Sequence, residues 1–307
     1  MKILFMGTSD FAVASLKALA ESGEHEICAV VSQPDKPKGR GYVLTPTPVK
    51  AYALQQNLEV FTPETLKDGA LIPLLEEKKP ECIVVASYGK ILPEYILSFP
   101  EYGCVNVHAS LLPEYRGAAP INAAIIDGKK ETGITTMLMD AGLDTGDMLL
   151  KSKVDILDSD DAGTLHDKLA EEGGKLLLRT LKGLWEGSVV PQKQEGQSSY
   201  AHMITAQTRK VDFSVSAKKV FDLVRGLSPV PTATAVAVLS DGRQLGVKLF
   251  AVEPVSGSGQ PGKVIDSKTP VVACGSGAVK IVSLRPDGKN IMSGEAFARG
   301  YSVERFL

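Results

Sequence analysis

In the run Cys104-Val105-Asn106-Val107-His108, two polar residues stand two positions apart inside an apolar stretch. Such a run predicts a buried strand, and alternate residues of a strand share a face. Asn106 and His108 therefore point together, with Val105 and Val107 on the opposite side. Burying an amide and an imidazole is costly unless each finds a partner. Both lie at the carboxyl end of the strand, just before the loop Ser110–Gly117, where open parallel sheets bind ligands. Further along, Asp140-Ala141-Gly142-Leu143-Asp144-Thr145-Gly146-Asp147 makes a tight loop that can aim a carboxylate inward. An acid near a histidine can orient it, raise its pKa and accept a proton through water. Proton transfer is the chemistry these types allow. Spacing alone also allows a histidine and an asparagine that merely tie down a neighbouring loop, and an acidic loop that merely joins two strands.

Several other chemistries are disfavoured. Gly7-Thr8-Ser9-Asp10-Phe11 sits where a dinucleotide fingerprint would be, but it has one glycine where three are needed. No GxxxxGK[ST] phosphate loop and no GxSxG nucleophile elbow occur. The 4 histidines show no HxH, HxxxH or HExxH spacing, and the 4 cysteines (Cys28, Cys82, Cys104, Cys274) show no CxxC. No metal site is expected, and the cysteines read as reduced structural thiols of a cytoplasm.

The elements that must position these residues alternate between strand and helix. Residues 2–6 predict a buried strand, Phe11–Ala20 a helix and Ile27–Val31 the next strand, the start of a parallel α/β sheet. Pro34–Pro48, with four prolines, two glycines and Lys36, Lys38 and Arg40, reads as a long basic exposed loop. A helix over Val49–Gln56, strands at Val60-Phe61, Cys82–Ala86 and Cys104–His108, and a helix over Gly117–Asp127 follow. Gly133–Met139 and Met148–Val154 predict neighbouring strands. Ser159 or Asp160 could cap a long helix to about Trp185, with a stripe at Leu165, Leu169, Leu176, Leu177, Leu181 and Leu184. After Gly187 the chain turns polar and irregular. These textures divide it into residues 1–189, a linker at 190–207 and a second domain at 208–307. That domain opens on a helix, Ala217–Leu227, followed by short strands of a small barrel, expected to be OB-like.

The 307 residues suffice for two domains with their own cores, and 44% hydrophobic with 23% charged residues is ordinary for a globular chain. No run of 18 apolar residues suggests a membrane span, and a strand beginning at residue 2 leaves no room for a targeting peptide. The net charge of −2 conceals an asymmetry. From Thr205 to Leu307 there are 14 Lys/Arg against 8 Asp/Glu, while residues 1–204 carry 20 against 28. A basic module joined to an acidic one suggests a polyanionic partner.

The motifs together resemble the methionyl-tRNA formyltransferases, within the wider folate-dependent formyltransferases, over essentially the whole chain. The resemblance is carried by Met6–Ala12, Gln33–Pro37 with Gly39-Arg40-Gly41, Tyr88-Gly89 with Ile91-Leu92-Pro93, Asn106–Pro113, Arg116–Ile121 and Gly142–Asp147. It implies a Rossmann-like formyltransferase domain, a linker and a barrel-like C-terminal domain. It implies 10-formyltetrahydrofolate as donor, with the pterin against Ser87–Pro93 (Tyr88, Gly89, Ile91, Leu92) and Leu138–Asp144, and with contacts from Ser110, Leu111, Leu112 and Pro113. Asn106 and His108 would stabilise the oxygen that gains charge as the methionyl amine attacks, and Asp144 would orient His108 and help move the proton. No metal and no covalent intermediate is required.

The resemblance also implies that Pro34–Pro48 enters the acceptor arm of initiator methionyl-tRNA, with Arg40 foremost and Lys36 and Lys38 on phosphates. Lys210 and Lys218 of the basic domain would add attraction. Where the family often has further basic residues, this chain has Tyr42-Val43. The protein is expected to work as a monomer in a bacterial cytoplasm, with no membrane. Three other readings share part of the pattern: formyl transfer to an amino sugar nucleotide, hydrolysis of formyltetrahydrofolate, and a non-catalytic RNA-binding protein.

Overall fold

The computed structural model describes residues 1–38 and 42–307. The chain folds into two compact units. One comprises Met1–Gly117, Thr132–Val154 and His166–Tyr200; the other comprises Ala118–Glu131, Asp155–Leu165 and Ala201–Leu307.

The first unit is built on a seven-stranded sheet. Its strands are β1 (Lys2–Gly7), β2 (Glu26–Val31), β3 (Val60–Phe61), β4 (Cys82–Ala86), β5 (Cys104–His108), β6 (Glu131–Leu138) and β7 (Met148–Asp155). They lie in the order β7-β6-β5-β4-β1-β2-β3. The five strands from β3 to β5 run parallel and are almost continuously apolar, because helices cover both faces of such a sheet. The chain order reverses between β1 and β4, the switch point beside which such folds form clefts. β6 is antiparallel to β5, with Val105 opposite Leu138 and His108 opposite Thr135.

A long helix, Ala162–Trp185, covers one face. Asp161 caps it: Thr164 N–H donates to Asp161 Oδ1 at 2.8 Å, and Asp161 N–H donates back to Thr164 Oγ1 at 3.0 Å. The cap lies one residue beyond the expected Ser159 or Asp160. Asp160 Oδ2 instead accepts from Leu157 N–H. Gly173 lets the helix sit close to the sheet, since a Cβ there would stand 3.1 Å from Val107 Cγ1. Val107 therefore faces the helix, and Asn106 and His108 face the other way.

The stretch Pro34–Pro48, expected as a loop, is a two-stranded hairpin over the residues described, with Lys36–Lys38 antiparallel to Val43–Thr45. The polar stretch expected as a linker is also bonded. Gln192 exchanges backbone hydrogen bonds with Met148 at 2.7 and 2.8 Å. Composition could not reveal this, because the partners lie far off in sequence.

The second unit forms a nearly closed antiparallel barrel. Its strands run Val264–Asp266, Val271–Ala273, Ala278–Pro286, Gln244–Val255, Ala233–Leu239 and Val303–Phe306 in spatial order. The two ends meet where Lys263 bridges Arg305 and Phe306 N–H donates to Gly262 O at 2.8 Å. Residues 233–239 alternate buried and half-buried, as a barrel wall requires. The helix Ala217–Leu227 has the predicted bounds and is capped by Ser216. A helix at Gly294–Gly300 and the last strand carried no clear signal in the sequence. The unit also takes in Ala118–Glu131 and Asp155–Leu165, which a boundary near residue 189 had assigned to the first domain. They are held by Asn122 Nδ2 donating to Gly226 O at 2.7 Å and by Arg225 Nη1 donating to Leu157 O and Asp160 O at 2.9 and 3.0 Å. Among the described residues, no helix is long and apolar enough to cross a membrane, and no group of three His, Cys, Asp or Glu could hold a metal ion.

Candidate active site

His108 ends β5, and its imidazole is 6% exposed. Nε2 lies 2.9 Å from the carbonyl oxygen of Tyr115. A carbonyl only accepts, so Nε2 carries the proton and donates. This fixes the tautomer: Nδ1 carries a proton only when the ring is cationic. Nδ1 faces Asp144 Oδ2 at 3.7 Å, beyond hydrogen-bond range. Asn106 is half-buried two residues back on the same face, and its amide makes no hydrogen bond among the described residues.

Asp144 arrives by a route the sequence could not show. Because β6 runs antiparallel to β5, the loop after Leu138 begins beside Cys104, where Met139 N–H donates to Cys104 O at 2.8 Å. That is the amino end of β5. The loop then carries Asp144 across the face to reach His108 at the other end. Asp144 has φ +53°, a left-handed conformation uncommon outside glycine. Its Oδ2 accepts from Gly117 N–H at 2.8 Å. Asp140 closes the base of the loop, accepting from Gly142 N–H and Thr145 Oγ1 at 3.0 and 2.7 Å.

A residue absent from the sequence reading completes the frame. Gln194 Nε2 donates to Asp144 O and Gly146 O at 2.8 and 2.9 Å. Its Oε1 accepts from Arg116 Nε and Nη2 at 3.0 and 2.7 Å. Nothing in the local pattern marks Gln194, a glutamine among polar residues.

The residues expected around the folate separate into two groups. Ser110 is buried, and its hydroxyl donates to Glu114 O at 2.6 Å. Leu112 is buried, its N–H donating to Thr135 Oγ1 at 3.1 Å and its carbonyl accepting from Lys151 Nζ at 2.5 Å. Burial pushes the Lys151 amine below its usual range. Ser110 and Leu112 thus shape the turn, while Leu111 and Pro113 remain half-buried. Tyr88 and Leu92 belong to the core under β4. Among the described residues the Tyr88 hydroxyl has no partner, and burial pushes its pKa up to about 12. The Tyr88 carbonyl accepts from Thr8 Oγ1 and Gln33 Nε2 at 3.0 and 2.7 Å. Gly89, at φ +79°, lies against that glutamine, where a Cβ would come within 2.9 Å. Ile91 is 85% exposed and Leu143 59%, two large apolar side chains held in solvent on loops bordering the sheet.

Residues 1–181 match the formyl transferase family, and residues 203–302 match the formyl transferase C-terminal domain. A methionyl-tRNA formyltransferase of Caldanaerobacter subterraneus subsp. tengcongensis is 49% identical over 308 residues, covering 99% of this chain and 98% of the relative. The chain belongs to the methionyl-tRNA formyltransferase family. Solved structures share its fold. A methionyl-tRNA formyltransferase from Clostridium thermocellum aligns with TM-score 0.55 at 20% identity, covering 82% of this chain and 93% of that one. An N-formyltransferase from Helicobacter canadensis, in complex with folinic acid and dTDP-3-aminofucose, aligns with TM-score 0.64 at 17% identity, covering 92% and 99%.

Of the basic residues that the methionyl-tRNA formyltransferase resemblance singles out, Arg40 lies outside the described residues, as does the Lys38 side chain. Lys36 is exposed and donates to Gln33 Oε1 at 3.1 Å. Just before the second of the paired strands, Tyr42 is 80% exposed, and Val43 and Leu44 are also in solvent. Lys210 is exposed in the second unit. Lys218 is engaged, its Nζ lying 2.6 and 2.5 Å from the two oxygens of Asp222.

Proposed function

We propose that the chain transfers the formyl group of 10-formyltetrahydrofolate to the free α-amino group of initiator methionyl-tRNA, as a monomer in a bacterial cytoplasm. The observation that carries the reading is the uncommitted Asn106 amide beside a histidine whose Nδ1 is left facing Asp144. The folate supplies a formyl group bonded to a nitrogen that can leave. Asn106 Nδ2–H and, in the cationic ring, His108 Nδ1–H are donors for the formyl oxygen as it gains negative charge. The carboxylate of Asp144 accepts the amine proton through water and passes it to the departing nitrogen. One C–N bond forms and one breaks, and the proton ends on the folate.

The residues present fit the donor. Exposed Ile91 and Leu143 suit the face of a flat heteroaromatic ring, with Gly89 allowing close approach of backbone. Leu111 and Pro113 would complete the contact, on a turn built by Ser110 and Leu112. On the acceptor side, the paired strands Lys36–Lys38 and Val43–Thr45 would engage the acceptor arm, with Tyr42 stacking on a base or ribose. Lys210 and its basic neighbours in the barrel would add attraction that weakens with salt.

The test is formyl transfer to methionyl initiator tRNA, run beside the elongator and beside an amino sugar nucleotide. Transfer to the initiator is expected, with a Michaelis constant for tRNA that rises with salt. Formate release at the same rate without tRNA would instead support a hydrolase, and transfer to the sugar amine a sugar formyltransferase.

A further inference from the structure

The segment that follows the long helix of the first unit has the composition of a linker, yet two of its half-buried side chains, Gln194 and Ser199, bond to the peptides around the candidate site. Gln194 is half-buried while residues 190–193 and 195–198 are exposed. All four hydrogen-bonding positions of its amide are used: two donors on Asp144 O and Gly146 O, and two acceptor sites on the Arg116 guanidinium. Because two partners are carbonyls and the third is a cation, only one orientation of the amide satisfies them. Five residues on, the Ser199 hydroxyl accepts from Tyr115 N–H at 2.9 Å, and the Ser199 carbonyl accepts from Arg116 N–H at 2.9 Å. Tyr115, at φ +58°, supplies the carbonyl that receives His108 Nε2–H. The Gln192–Met148 backbone pair anchors the start of the segment.

We propose that residues 192–199 form a strap that positions the two reacting side chains, Gln194 acting on Asp144 and Ser199 acting on His108. The physical need is clear. Asp144 is held left-handed on a loop that crosses the sheet face, and its carboxylate meets only one backbone N–H among the described residues. Gln194 holds the carbonyls of Asp144 and Gly146, so it sets where the carboxylate points without touching it. Ser199 does the same for the peptide of Tyr115, and so for the imidazole tautomer. Neither residue meets substrate; both are positioning residues, and the proposal rests on the roles given above to His108 and Asp144.

The experiment uses the full chain in the formyl-transfer assay. Q194M keeps the side-chain volume and removes all four hydrogen bonds; Q194E keeps the Arg116 pair and loses both donors to the loop. Both variants should lower kcat by about tenfold to a hundredfold, the scale of a displacement near 1 Å at a reacting group. The KM for folate and for tRNA should change little, and the pH profile of kcat should shift, because the Asp144–His108 separation changes. Combined with D144A, Q194M should add almost nothing to the loss already caused by D144A. S199A should shift the same pH profile with a smaller loss of kcat. A purely structural role would lower the melting temperature and leave the pH profile alone. A wild-type kcat in Q194M, or losses that multiply fully with D144A, overturns the strap. A wild-type kcat in D144A itself overturns the reading of the site beneath it.

Discussion

Asp144 in the first unit and Asp222 in the second are both well-buried carboxylates, 13% and 5% exposed, with basic side chains nearby, yet they are treated oppositely. Asp222 is saturated. Lys218 Nζ reaches both of its oxygens, and Arg225 Nε donates to Oδ1 at 2.9 Å, with Nη2 also 2.9 Å from that oxygen as a charge contact. Arg225 extends the network to two carbonyls of the turn at Leu157–Asp160. Asp144 is held through its backbone by Gln194, while its carboxylate meets one N–H and leaves a gap of 3.7 Å to His108. A carboxylate that holds a fold uses its charge on fixed partners. One that moves protons must be fixed by its peptide and left with unused capacity.

Exchanging the demands on these two residues tests that contrast. The largest effect is expected for D144A, with kcat reduced about 10³-fold, within the usual span for a positioned acid–base group. Its melting temperature should stay within a few degrees of wild type. D144N keeps an acceptor for Gly117 N–H but loses the charge, and should be nearly as slow. Near-normal turnover in both would remove Asp144 from the chemistry. D222A should do the reverse, costing about 3–5 kcal/mol in denaturant unfolding because Arg225 is left buried without its partner. The turnover of the remaining folded molecules should be unchanged. A D222A protein as stable as wild type would show that the pair is not the anchor described here.

The smallest effect is expected for K218M. Its half-exposed side chain contributes about 1 kcal/mol or less, and its ammonium is already engaged by Asp222. The KM for tRNA should therefore hardly move, whereas removing Lys210 should raise it at low salt. A large rise in K218M would return Lys218 to the tRNA surface and weaken the contrast between structural and functional charges.

Much of this frame was legible in the residues. Alternation placed Asn106 and His108 together, because period two along a strand is a local property. The leucine stripe marked the long helix, and the helix Ala217–Leu227 was expected with the bounds it has. The pairing of Lys36–Lys38 with Val43–Thr45 was hidden by the prolines and glycines of the sequence around it, which read as loop. The last helix was hidden by its brevity, although Ser293 caps it by accepting from Ala296 N–H at 3.2 Å.

The sequence by itself determined which side chains could do chemistry and which face of β5 carries two of them, since types and periodicity depend only on neighbours along the chain. It also determined, through motifs spread over its length, the family to which the chain belongs. Only the tertiary structure decided how Asp144 meets His108, because that follows from β6 running antiparallel to β5. Only the tertiary structure decided that His108 bears its proton on Nε2, because the acceptor is a carbonyl seven residues away in a left-handed turn. And Gln194, fifty residues beyond Asp144 in an unpatterned stretch, has its place through four hydrogen bonds that exist only once the chain has folded.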